Sequence, residues 1–556
     1  MTTIDWTIVV LLNGLCIGYG LYLSRGTQTA TDWFLAGRTL PFWIVGLSLY
    51  ATAIDSSDLV ADAGGTYQLG MSYFVTNWIG VVAGWVIAAN WVVLPMFRRG
   101  MFTNAEYLEA RFGPSARITS ALVQVQYRTM VLGIIANTIY LTLAIVCGWG
   151  PGTWWAVLFI AALAAVYTTW GGLKSVAVTD AMQSVVMIVA AFALFCMVWQ
   201  KVGGFEGARQ KLDAHQTGLA DQLLHVGADR TEIVETETGA IERRTPGWVV
   251  CVAFIIAGLA YSLVNHTQSM RLFGAKSEWD LKMAAVVAGA VLLVATFFNL
   301  SMGVFGRALF PDPSLMALGQ EALQKPDAIY PLLIREYLPV GLTGLVVAGV
   351  LAASFSTFDS IGSTLAALIT RDIYARLMVK NGEDRHYLKV GRCLTPVVIF
   401  GSFAYVPFLQ ERGMLLYYLD LVAVFVVPLL GLYLMGIFSP VHRQSGMIGL
   451  LAGVVYGLCR LLRPDWLPGW LADGFAAYPV SLFMTAGVMV LASCYLGWQR
   501  PGDLQSESAG GWLATSQHQV ASIDQAHAQE SDSSLPMIAG LILIGIGALL
   551  SFVVFW

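Results

Sequence analysis

The chain has 556 residues and a formal net charge of −4; 57% of its residues are hydrophobic and 12% are charged. A soluble protein carries about 25% charged residues, so this composition excludes a string of soluble domains in favour of a membrane protein. The mildly acidic balance speaks against nucleic-acid binding, which calls for a basic stripe.

Apolar runs of about 20 residues are long enough to cross hydrocarbon. They predict fourteen spans, at 5–24, 41–66, 73–97, 118–147, 153–170, 177–200, 248–270, 281–307, 341–370, 392–409, 416–438, 445–462, 475–498 and 536–556. In lipid every backbone polar group needs an internal partner, so these spans are expected as helices. The first run follows Asp5 rather than a basic start and lacks a small-residue cleavage site, which predicts a retained helix rather than a signal peptide. Lys and Arg concentrate in alternate loops, from Arg25 and Arg38 to the densest group, Arg371, Arg376, Lys380, Arg385, Lys389 and Arg392. The positive-inside rule puts those loops in the cytoplasm and both termini outside. The polar, mixed-charge stretch 201–247 is expected as an external loop with a short helix, and 500–535 as a flexible linker. Seven cysteines lie scattered without a C-x-x-C pair and read as small buried hydrophobes.

Three spans are interrupted by polar residues. The second contains Asp55, Asp58 and Asp62, spaced to share one helical face. A buried acid costs about 2.5–3.5 kcal/mol on insertion scales, so the three face a polar pathway, or Asp62 lies near the surface and Asp58 caps a helix fragment. The seventh span breaks at Ser262, Asn265, His266 and Thr267. Two broken helices in corresponding positions of two five-helix halves point to an inverted-repeat transporter with a mid-membrane site. The ninth span carries Ser354, Ser356, Thr357, Asp359 and Ser360, hydroxyls that either offer oxygens to a hard cation such as sodium or bond back to their own helix. Arg128, in an apolar span, needs a counter-charge; a salt bridge is the simpler reading and solute binding the other. There is no Ser-His-Asp set, phosphate loop or metal-ligand cluster to support an enzyme.

Four stretches in order carry a resemblance. They are 48–54 with Gly64-Gly65; Leu94 to Arg99 with Glu106-Tyr107-Leu108-Glu109 and Arg111-Phe112-Gly113; 167–183 with Gly171-Gly172-Leu173 and Thr179-Asp180; and 344–374, ending Thr370-Arg371-Asp372-Ile373-Tyr374. Over roughly residues 5–440 the chain resembles the sodium:solute symporter family, whose best-known members are sodium/glucose cotransporters. The resemblance implies an all-α membrane protein with a LeuT-type 5+5 inverted-repeat core. The layout would be an extra helix and cytoplasmic loop at 1–40, repeats at 41–200 and 248–438 around the external loop 201–247, and three extra helices in 439–556. It implies a sodium site of carbonyls from Ala51, Ile54 and Ala353 and hydroxyls from Ser356 and Thr357. Asp180 matches a position that serves a second ion, a proton or a gate in some members, and Asp359, one turn beyond Ser356, is placed to join such a site. Tyr261 matches an aromatic gate, with a core aromatic as the alternative; His266 reads as a polar residue at a helix break or a proton carrier. Asp55, Asp58, Asn77, Tyr261, Asn265 and His266 form the candidate solute or gate set. The expected activity is sodium-coupled import of a sugar or polyol across the plasma (inner) membrane, with an amine-bearing or zwitterionic solute as the alternative and a transport-derived sensor behind it. The expected partners are the solute, the sodium ion and the lipid bilayer, with no nucleic acid and no obligatory protein partner.

Overall fold

The computed structural model describes residues 1–25, 29–236, 239–311, 326–409, 414–499, 511–527 and 533–556. The chain begins with α1 (Thr3–Ser24), α2 (Phe42–Ala53), α3 (Ser56–Leu69), α4 (Thr76–Arg98), α5 (Asn104–Phe112), α6 (Pro114–Cys147) and α7 (Thr153–Val202). A polar segment follows, with α8 (Gly204–His215), α9 (Leu219–Leu224) and the antiparallel hairpin β1 (Arg230–Thr236) and β2 (Gly239–Thr245). The second half holds α10 (Gly247–Val264), α11 (His266–Phe273), α12 (Glu278–Leu309), α13 (Ile329–Tyr337), α14 (Leu342–Met378), α15 (Asp384–Phe408) and α16 (Met414–Phe438). After it come α17 (Ser445–Leu462), α18 (Ala477–Leu496), α19 (Trp512–His527) and α20 (Leu535–Val554).

Twelve helices among the described residues are long and apolar enough to cross a membrane, and the α2–α3 pair, bent by 49°, makes a thirteenth span. The fourteenth is inside α7. At 50 residues it would run about 75 Å if straight, more than twice the ~30 Å of hydrocarbon. Gly172 breaks it with φ 63°, a conformation open to glycine. The break separates the spans expected at 153–170 and 177–200.

The innermost helix is α14. Its face of Ala348, Gly349, Ala352, Ala353, Ser356 and Ser360 is buried, and small side chains there let neighbouring backbones come close. The same device joins the halves. A Cβ on Gly303 of α12 would stand 2.1 Å from the Ala63 carbonyl of α3, and one on Gly258 of α10 would stand 2.3 Å from the Thr76 carbonyl of α4. α1 is pinned at its start by Asp5, which accepts the amides of Gly341 (2.7 Å) and Gly344 (3.0 Å). Leu11 and Leu15 of α1 and Leu541 and Ile542 of α20 remain exposed, as lipid-facing residues should.

Two expectations need correction. The polar stretch 201–247 carries two helices and a hairpin rather than one short helix. Arg230 ties the hairpin down by donating to the Leu69 carbonyl and the Ser72 hydroxyl. Within the expected linker, 511–527 is largely the helix α19, packed on the arginine-rich face. Its Trp512 indole donates to Asp384 (3.0 Å) and stacks on Tyr387 at 4.0 Å. Linker residues 500–510 and 528–532 lie outside the described residues.

Candidate ion and solute site

The break between α2 and α3 is built by two aspartates. Asp55 is the N-cap of α3: its Oδ1 accepts the Ser57 amide (2.7 Å), the Asp58 amide (3.2 Å) and the Ser57 hydroxyl. Asp58 reaches back and accepts the Asp55 amide (2.7 Å), completing a capping box. In a continuous helix the amides of Asp55 and Asp58 would bond the carbonyls of Ala51 and Ile54, four residues earlier. The box takes both amides and releases the two carbonyls that the resemblance assigns to sodium. Asp58 thus acts as the cap that the residues alone allowed.

α14 meets this break. The Ser356 hydroxyl oxygen lies 3.2 Å from the Ala51 carbonyl oxygen, and the Thr357 hydroxyl lies 3.1 Å from the Ala353 carbonyl. Hard cations hold oxygens at about 2.4 Å; two such ligands at a right angle stand about 3.4 Å apart. Both oxygen pairs are therefore spaced as neighbouring ligands of one small cation would be. Thr357 also shows the back-bonding to its own helix that the residues left open.

Behind the pair lies a buried polar cluster. Asp180 accepts from Ser356 (2.6 Å) and Ser48 (2.6 Å), with Ser360 and Arg271 each at 3.4 Å. One carboxylate on α7 thus touches α2, α11 and α14. Asp359 accepts from Tyr167 and lies 3.3 Å from the Ser360 hydroxyl, so the two acids share one network through Ser360.

On the other side of the break is a cavity of about 60 Å³. Asp55, Asp58, Asp62, Asn77, Arg128 and Tyr261 line it together with apolar residues of α6 and α16. The Tyr261 hydroxyl donates to the Thr52 carbonyl (2.9 Å) and accepts from Gln268 (3.1 Å), joining α10 and α11 to the end of α2. A vestibule of about 870 Å³, lined by Tyr67, Arg230, Arg307 and Asp420 among others, shares the lining residue Leu419 with the cavity. Asn265 and His266 are placed elsewhere, at the break between α10 and α11. Asn265 caps α11 through the Thr267 amide (3.0 Å), and the His266 amide is held by Gln124 (2.8 Å). Neither is among the residues that line the cavity.

Reading the sequence span by span missed one feature. Two of the motif stretches meet as a buried ion network on the arginine-rich face. Arg117 binds Glu109 and Asp372, each at 2.6 Å, Arg371 pairs with Glu106, and Arg376 reaches Glu109 at 2.8 Å. Burial alone would push the Glu106 carboxyl up, but Arg371 and Arg117 hold it below the usual range. The signal was present as Glu106, Glu109 and Arg371-Asp372, but the residues are about 265 apart in sequence.

A helical membrane protein with two broken helices crossing at oxygen-rich turns belongs to the class of inverted-repeat secondary transporters. A family model described as "Sodium:solute symporter family" matches residues 33–453. The chain belongs to the sodium:solute symporter family, and it is a sodium-coupled multi-pass transporter of a small solute rather than an enzyme. It is similar to a sodium/glucose cotransporter of Vibrio parahaemolyticus, at 28% identity over 84% of this chain and 87% of that one. It is also similar to sodium/myo-inositol cotransporter 2 of Rattus norvegicus, at 28% identity over 83% and 70%. Among solved structures, a Na+-coupled sialic acid symporter in a substrate-bound outward-open state matches with TM-score 0.74 at 20% identity, covering 90% of this chain and 99% of that one. A nucleobase-cation-symport-1 family transporter in a closed conformation matches with TM-score 0.54 at 12% identity, covering 88% and 98%. These two likenesses establish the LeuT-type fold.

Proposed function

We propose that the protein imports a polyhydroxylated solute, a sugar or polyol, across the plasma (inner) membrane, driven by one sodium ion bound between α2 and α14. The observation that carries this reading is that the break frees the Ala51 and Ile54 carbonyls, and that the first of them stands 3.2 Å from the Ser356 hydroxyl of α14, next to Thr357. The named activities of the glucose and inositol relatives support the solute class. Sodium enters from the outer face and bridges the broken helix to α14, completing the wall of the cavity in which the solute binds. Rocking of one helix set against the other then opens the site to the cytoplasm. Asp180 is a positioning residue here: Arg271 neutralises it, and it fixes the Ser356 hydroxyl. Asp359, bonded by Tyr167 and Ser360, is the better placed of the two acids for a second ion or a proton. The amine-bearing alternative loses ground because the Asp55 and Asp58 carboxylates are already occupied by backbone amides.

The test is uptake into proteoliposomes under an inward sodium gradient, with potassium as control, over sugars, polyols and their acid derivatives. Sodium-dependent uptake of at least one is expected, and Thr357→Ala or Ser356→Ala should raise the half-saturating sodium concentration about tenfold, the effect of ~1.4 kcal/mol. Uptake indifferent to sodium, or an unchanged sodium response in both variants, contradicts the proposal.

A further inference from the structure

Arg128 lies near the middle of α6, is 2% exposed, and lines the solute cavity. Its Nε and Nη2 groups have no hydrogen-bond partner, and it takes part in no ion pair found among the described residues. The salt bridge that the sequence favoured for Arg128 is therefore not formed. Its guanidinium carbon stands 5.6 Å from the Tyr127 ring and 5.8 Å from the Tyr261 ring. Such contacts are worth about 0.5–2 kcal/mol, against several kcal/mol for burying an ion. An arginine cannot shed its charge to escape that cost.

The acids around the same cavity are in a different position. Asp55 and Asp58 spend their oxygens on the amides that open α3, where the helix dipole also favours negative charge. Asp62 stands a turn farther along α3 and is hydrogen-bonded by the Tyr73 hydroxyl. The strongest unmet demand in the cavity is thus for an anion. Nε and Nη2 form one edge of the guanidinium fork, and two parallel N–H donors on that edge match the two oxygens of a carboxylate.

We propose that Arg128 recognises a carboxylate on the transported solute, which makes the solute a hydroxylated acid such as a sugar acid rather than a neutral sugar. This rests on the cavity being the solute site, as proposed above. The carboxylate sits on the Arg128 edge, and the hydroxyls turn toward Asn77 and Asp62.

The experiment uses purified full-length protein in sodium and follows thermal stabilisation by matched pairs: galactose and galacturonate, glucose and glucuronate, ribitol and ribonate. At least one acid should stabilise the protein at a concentration tenfold or more below that of its neutral partner. Arg128→Gln should remove that preference, and Arg128→Lys, which keeps the charge but loses the paired edge, should weaken it. Neutral members binding as well as the acids, no acid binding at all, or an undiminished preference in both variants overturns the proposal. Stabilisation by sodium without solute is read in the same samples. Its loss in the wild type would sink the sodium-site reading instead, and its retention in a variant shows that the variant is folded.

Discussion

Asp58 decides the shape of the proposed ion site without touching the ion. Its carboxylate holds the Asp55 amide and so keeps that amide off the Ala51 carbonyl. Asp58→Ala removes the acceptor, lets the helix close through the break and withdraws an ion oxygen; losing such a cap costs about 1 kcal/mol. Sodium and solute affinities should therefore fall together, several-fold each, in titrations of purified protein. A fall in solute affinity alone would return Asp58 to the solute-contact role suggested by its sequence position. The D-x-x-D spacing made the capping role legible, because a cap needs residues three apart. The unpaired state of Arg128 was not legible, because a missing partner shows only when the surrounding helices are in place.

At the scale of elements, two of the three polar interruptions mark broken helices, as polar residues in lipid need a cavity, an ion or a partner. The third, in α14, stays continuous helix because Asp180 and Tyr167 of α7 pair with its Ser356 and Asp359. α19 was not legible, because its sequence resembles that of a solvated linker. Its docking depends on distant partners: Ser516 accepts from Arg371 (3.1 Å) and Gln517 donates to Glu106. Glu106 is the pivot. Glu106→Gln leaves two buried arginines short of an anion, a loss of about 3–5 kcal/mol by comparison with other broken buried pairs. Thermal unfolding at neutral pH should show it as a clear drop in midpoint. The Glu106 carboxyl is held low in the folded protein, so its contribution is complete above the ordinary glutamate value and is lost as the pH falls below it. The gap between wild type and variant should therefore narrow on acidification; a gap that widens would contradict the ion-network assignment.

The whole molecule couples these elements through backbone contacts too close for any side chain. Gly303→Leu would drive a side chain into the Ala63 carbonyl and the Tyr67 amide of α3. It should block transport or lower folded yield, while Gly14→Leu on α1, where nothing lies within 4 Å, should do neither. With one sodium per solute, a tenfold gradient supplies about 1.4 kcal/mol. A potential of 100 mV adds about 2.3 kcal/mol for a neutral solute but nothing for one that carries a single negative charge, whose accumulation one sodium then limits to about tenfold.

The most direct test of the central claim needs no solute. Thermal unfolding of purified wild type and of the Ser356→Ala/Thr357→Ala double variant is followed across a sodium titration, with potassium holding ionic strength constant. The account predicts that sodium, and not potassium, raises the wild-type midpoint, and that the variant needs at least ten times more sodium for half the effect. Identical sodium responses in the two proteins, or a wild type that treats both cations alike, would contradict it.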